Sequence, residues 1–185
     1  SRENEVKIIQ TNKTLDFYIE KIRNQLSKSY EIHHFEPRTK AIIDALILGQ
    51  RLELDKETIT DYSNAGVIHI LAISGLHISI IYFFILFLLK PLKRIRFGAE
   101  IQLLIVLGIL WLFALLTGLP ASVTRAVTLF SFISIGKYFN QPKAIYNALA
   151  ISAFLILLVK PNSIFDIGFQ LSYGAVLSIV LFQPF

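Results

Sequence analysis

Residues Asn12 to Tyr30 place Leu15, Tyr18, Ile19, Ile22 and Leu26 at helical spacing, with Lys13, Asp16, Glu20, Lys21, Arg23 and Lys28 on the other faces. That pattern predicts an amphipathic helix resting on an apolar surface. A break at His33-His34-Phe35-Glu36-Pro37 precedes a second, shorter helix, with Pro37 suited to its first turn and Gly49 to its C-terminal cap. Ile42, Ala45, Leu46 and Ile47 form its expected apolar face. Asp55 can cap a third helix running to Tyr62, because its carboxylate accepts first-turn amides that would otherwise lack partners.

Beyond this point the alternation gives way to long apolar stretches. Val67–Leu89 reads as a first membrane span, stopped by Lys90-Pro91-Leu92-Lys93-Arg94-Ile95-Arg96, and Ile101–Leu116 reads as a second. The turn Thr117-Gly118-Leu119-Pro120 leads to a third from Ala121 to about Ile135, short for a crossing and interrupted by Arg125. Lys137–Lys143 is a polar loop, Ala144–Val159 a fourth span, and Ser163–Phe182, after Lys160-Pro161-Asn162, a fifth. The fold expected is all-α: a polytopic membrane helix bundle of about five spans, preceded by amphipathic interfacial helices. Residues 1–64 form the polar region and 65–185 the membrane domain.

Composition sharpens this division. Hydrophobic residues make up 54% of the chain and charged residues 17%, yet from Val67 onward only Glu100 and Asp166 are acidic. The formal charge of +5 is compatible with a nucleic-acid ligand, but basic residues in membrane proteins commonly reflect topology and lipid headgroups. The chain has no Cys, so disulfides and thiolate metal sites are excluded. It has no Met, and Ser1-Arg2-Glu3-Asn4-Glu5 offers no signal-peptide core, so it reads as an internal piece truncated at both ends. Positive loops at 90–98 and 137–143 belong in the cytoplasm by the positive-inside tendency, which puts residues 1–64 on the extracytoplasmic side.

The few polar groups inside the apolar stretches are the candidate site. His69, Ser74 and His77 fall within one half of a continuous helix and predict a polar stripe facing protein or water. A His pair eight residues apart has the wrong spacing for a metal on one helix. Arg125 and Asp166 each lie about one turn past a proline, at matching depth, and invite pairing. Ser122 and Thr128 flank Arg125 at i−3 and i+3, while Asp166, Gln170 and Tyr173 share a face at i, i+4 and i+7. These groups either bond neighbouring helices or serve a substrate. Ser74 with His77 also raises an intramembrane hydrolase, but no Gly-x-Ser-x-Gly elbow is present.

Three blocks carry a family resemblance. Ala65-Gly66-Val67-Ile68-His69-Ile70-Leu71-Ala72-Ile73-Ser74-Gly75-Leu76-His77-Ile78 resembles the signature segment of the ComEC competence family. Thr117-Gly118-Leu119-Pro120-Ala121-Ser122-Val123-Thr124-Arg125-Ala126 resembles its Gly-x-x-x-Ser-x-x-Arg-Ala element, and Asp166-Ile167-Gly168-Phe169-Gln170-Leu171-Ser172-Tyr173 its Asp-x-Gly-Phe-Gln-Leu-Ser block. The resemblance covers roughly Ala41 to Phe185. It implies part of a multi-span channel in the bacterial inner membrane that admits single-stranded DNA during natural transformation. It also implies a DNA receptor and a cytoplasmic helicase as partners, alongside membrane lipids and the rest of its own chain.

Fuller members of that family carry an OB-like domain upstream, and some carry a metallo-β-lactamase-like nuclease domain downstream. No His-x-His-x-Asp-His motif occurs here, so the expectation is a transport segment with no enzymatic activity, cofactor or metal. The residues expected to line or brace the passage are His69, Ser74, Gly75, His77, Ser122, Arg125, Asp166, Gln170, Ser172 and Tyr173. Phe169, Tyr173, Tyr82 and Phe83 are candidate faces for bases. The rival readings are a small-solute or lipid-precursor permease and a purely structural scaffold.

Overall fold

The computed structural model describes residues 15–31, 35–49, 54–67 and 73–182. Among these, every regular element is helical. The helices are α1 (Leu15–Glu31), α2 (Pro37–Ile47), α3 (Lys56–Asn64), α4 (Gly75–Leu88), α5 (Gly98–Leu116), α6 (Ala121–Tyr138), α7 (Ala144–Val159) and α8 (Ile167–Phe182). Short 3₁₀ turns at Lys90–Arg94 and Pro161–Phe165 lie between α4 and α5 and between α7 and α8.

Helix α6 is the hub. It packs against α4 and α5 on one side, around Ile78, Tyr82, Val106, Leu110, Val123 and Val127. Its other side meets α7 through Leu129, Ile133, Ala148 and Leu149, with Tyr173 and Val176 of α8 against that cluster. Outside these two seams the bundle is oily: Phe83, Phe84, Phe87, Leu104, Phe154 and Leu158 are each more than half exposed. Helix α5 is long and apolar enough to cross a membrane, whereas α4, α7 and α8 are apolar but shorter.

Several local features match the sequence reading. Pro37 occupies the first turn of α2, Gly49 follows its end at φ +72°, and Asp55 Oδ1 accepts from the Thr58 amide at 3.0 Å. Other features differ. The buried face of α2 is Ala41, Asp44, Ala45 and Leu48, while Ile47 is exposed. The face rotates because Ser27 of α1 donates to Asp44 Oδ2 at 2.9 Å, fixing which side of α2 meets α1.

Helix α1 also turns its polar side inward. Arg23 and Ser27, one turn apart, face the bundle, whereas Ile22 and Leu26 are exposed. Arg23 Nε donates to the Leu116 carbonyl at 2.5 Å, a cation on an orphan acceptor at the C-terminal end of α5.

The expected first span is not one uninterrupted helix. Ser74 is extended, at φ −114° and ψ 170°, and α4 starts only at Gly75. The stripe of His69, Ser74 and His77 on a single helix is therefore corrected: Ser74 precedes the helix that carries His77, and His69 lies outside the described residues. The expected fifth span is likewise divided by the 3₁₀ turn, with Asp166 extended ahead of α8.

Candidate functional site

At the end of the bundle opposite Lys93 and Lys137, the three sequence blocks converge. The extended Ile73–Ser74 segment is held from the side: the Ser122 hydroxyl of α6 donates to the Ile73 carbonyl at 2.8 Å. Ser74 is the N-cap of α4, where amides without helical acceptors need a partner. His77, three residues on, folds back so that its Nδ1 accepts from the Ser74 amide at 3.3 Å and lies 3.1 Å from the Ser74 hydroxyl. With Nδ1 accepting, a neutral His77 carries its proton on Nε2. Gly75 sits over Ala126, where a side chain's first carbon would lie 3.6 Å from the alanine methyl group.

One residue before Ala126, Arg125 reaches toward the third block. Its Nη1 is 3.7 Å from Asp166 Oδ2, with the arginine side chain 12% exposed and the aspartate 51%. Charge-assisted pairs close to roughly 2.7–2.9 Å when they are tight. The pair is therefore loose, and Arg125 Nε is buried with no hydrogen-bond partner. Asp166 Oδ1 is engaged otherwise, accepting from the Gly168 amide at 2.9 Å as a cap for α8. One carboxylate thus starts a helix and faces a cation.

Ser74, Gly75, His77, Ser122, Arg125 and Asp166 are brought together along this end of α4, α6 and α8. Gln170 and Tyr173 are each hydrogen-bonded within the bundle. The Gln170 amide donates to the Ile164 carbonyl at 2.8 Å, pinning the 3₁₀ turn, and Tyr173 donates to Ser152 of α7 at 3.1 Å. Ser172 is half-buried on α8. Of the aromatic candidates, Phe169 is buried beside Tyr173, their ring centroids 4.6 Å apart. Tyr82 is instead a core residue stacked on Phe130, and Phe83 points outward, 59% exposed.

A half-open cavity of about 570 Å³ lies between α5, α6, α7 and the Pro161–Asp166 turn, bordered by Trp111, Arg125, Thr128, Lys160, Asp166 and Phe169. It combines two cations, Arg125 and Lys160, with three aromatic side chains, Trp111, Phe132 and Phe169. Trp111 and Lys160 are absent from the sequence-level site, and so is Ser152, the buried partner of Tyr173. Lys160 had a signal, since it stands beside the third block; Trp111 had none, because its position depends on how α5 packs.

Residues 46–185 match the family described as competence protein, a stretch that includes all three blocks. The chain belongs to the competence protein family. It is also 34% identical over 145 residues to ComE operon protein 3 of Bacillus subtilis (strain 168), an alignment covering 78% of this chain. The chain spans about a fifth of that relative, 18% of its length. No solved structure matches the chain. In this competence protein the family match begins at Leu46, so the end of α2 and the Leu48-Gly49 stop fall within it. That agrees with the contacts, since Gly49 approaches Thr117 and Ile73 at the foot of two of the blocks.

Proposed function

We propose that this chain forms part of an inner-membrane channel that passes a single strand of DNA into the cytoplasm during natural transformation. Membership of the competence family supports a role in DNA uptake. The observation that carries the channel reading is the cavity at Arg125: a mostly buried guanidinium with a free Nε, loosely opposed by Asp166, beside Lys160 and the rings of Trp111 and Phe169. Single strands are commonly held by cations along the phosphates and aromatic faces under the bases.

In this reading the apolar exterior faces lipid, because a soluble protein rarely exposes so large an apolar surface. The basic turns 90–98 and 137–143 lie in the cytoplasm, residues 1–64 lie outside, and Ile22 and Leu26 of α1 rest on the outer interface. Residues 1–64 and 65–185 act as separate regions, linked at the Arg23–Leu116 bond and where Gly49 meets Thr117 and Ile73. A DNA receptor, a cytoplasmic helicase and the rest of the protein complete the machinery. No catalytic step is assigned to Ser74 and His77: their contact is a helix start, and the Asp166 oxygens serve Gly168 and Arg125.

Exchange of charges tests the role of Arg125. Arg125→Asp should lower transformation roughly 10- to 100-fold, the worth of about 1.5–3 kcal/mol for a hydrogen bond to a charged group. Arg125→Asp combined with Asp166→Arg should stay equally impaired with protein levels matched, since the phosphate contact is gone. Recovery in the double variant would contradict a direct phosphate role and leave a structural ion pair. A permease for a small amphipathic solute is favoured by the mixed apolar and charged cavity; it predicts normal DNA entry in both variants.

A further inference from the structure

A second cavity of about 440 Å³ lies at the other end of α6, between α4, α5 and α6 and beside the Lys90–Arg94 turn. Its polar border is Tyr82, Lys93, Gln102, Ser134, Lys137, Tyr138 and Asn140, and no carboxylate is among the lining residues. Glu100, the acidic residue of α5, accepts from the Tyr138 hydroxyl at 3.1 Å. Two ammonium groups therefore come from separate elements to one space, with Glu100 held one hydrogen bond away by the lining Tyr138.

The floor is polar as well. Gln102 is 6% exposed and borders the cavity from an otherwise apolar helix. The Tyr82 and Ser134 hydroxyls lie 3.4 Å apart, and the one Ser134 proton goes to the Phe130 carbonyl at 2.8 Å. Lys137 Nζ lies 6.0 Å from the Tyr82 ring centroid, directed back over the floor.

We propose that this cavity holds the phosphate headgroup of an anionic phospholipid. Two lysines, the Gln102 amide and the Tyr82 hydroxyl supply donors for phosphate oxygens. The neighbouring surface of α4 and α5, with Phe83, Phe87 and Leu104 exposed, gives an acyl chain an apolar path away from the site. Tyr82 and Val106, each 1% exposed, border the cavity, and it shares no lining residue with the space at Arg125. The inference rests on the membrane reading of the bundle but not on DNA passage.

The test uses the protein expressed from its intact gene, reconstituted in bilayer discs containing equal phosphatidylglycerol and phosphatidylcholine. Native mass spectrometry after mild extraction counts the lipids retained. The wild type should retain phosphatidylglycerol in roughly tenfold preference, in keeping with the attraction of basic residues for anionic lipid. Lys93→Gln with Lys137→Gln should lose most of that preference while keeping its helical circular dichroism. Lys143→Gln, at the same end but outside the cavity, should keep it. Equal retention of the two lipids by the wild type would overturn the site, as would an unchanged double variant or an equal loss in Lys143→Gln. Failure of the wild type to enter the discs would instead overturn the membrane reading beneath it, and transformation in the Lys93/Lys137 variant reports separately on DNA passage.

Discussion

Ser122 does at one point what a helix cannot do for itself. The Ile73 carbonyl belongs to an extended stretch with no helical donor, and the Ser122 hydroxyl supplies one from α6. Ser122→Ala leaves a partly buried acceptor unpaired, at a cost of about 1–3 kcal/mol. The expected outcome is a lower midpoint of thermal unfolding for the purified protein in detergent, and an unchanged midpoint would mean that water replaces the hydroxyl. The pairing of Arg125 with Asp166 was legible from two prolines and matching depth, and the structure bears it out as a loose pair. The capping roles of Ser74 and Asp166 were not drawn from the sequence. In an all-apolar stretch hydrophobic periodicity carries no break, so the only signals were local: Ser-Gly followed by His77 at the third helical position, and Asp166 two residues before Gly168.

At the scale of elements, α6 spaces its polar groups every third residue: Ser122, Arg125, Thr128, Ser131, Ser134 and Lys137. At about 100° per residue such a series winds around the helix instead of forming one face. It borders the Arg125 cavity through Thr128 and Ser131 and the basic-end cavity through Ser134 and Lys137. Between them the hydroxyls of Thr128, Ser131 and Ser134 donate to carbonyls four residues back, at 2.7–2.8 Å, so no donor is left to an apolar surrounding. Element identity and most boundaries were readable, because Lys-Pro and Thr-Gly-Leu-Pro punctuate the apolar runs. The inward polar face of α1 was not readable, since it depends on the carbonyl ends of α5 lying beside it. Gly98 shows a similar dependence: at the start of α5, the Leu92 carbonyl occupies the space a side chain would need. Gly98→Ala should therefore destabilise by about 1–3 kcal/mol through overpacking and expose Lys90–Arg96 to trypsin. Wild-type cleavage rates would show that the turn moves aside freely.

For the whole molecule, two polar ends are joined by an oily waist. Buried side chains run from Ile78 through Val106 to Val127, while large aromatic and aliphatic groups cover the outside. That apolar exterior was visible in the hydropathy of the sequence, and the three blocks were visible through their family resemblance. The cavity at Arg125 was not, because it needs α5 to bring Trp111 and α7 to bring Lys160 beside α6. If the cavity is the path of the strand, its wall must be wet and must be shielded while DNA occupies it. The chain has no Cys, so a single thiol introduced here reports its own surroundings. Thr128→Cys should react with a small charged thiol reagent added to competent cells, and DNA stalled in transit should protect it, whereas Phe154→Cys on the oily exterior should be indifferent to DNA. Labelling of Thr128→Cys at the same rate with and without stalled DNA would contradict passage through this cavity.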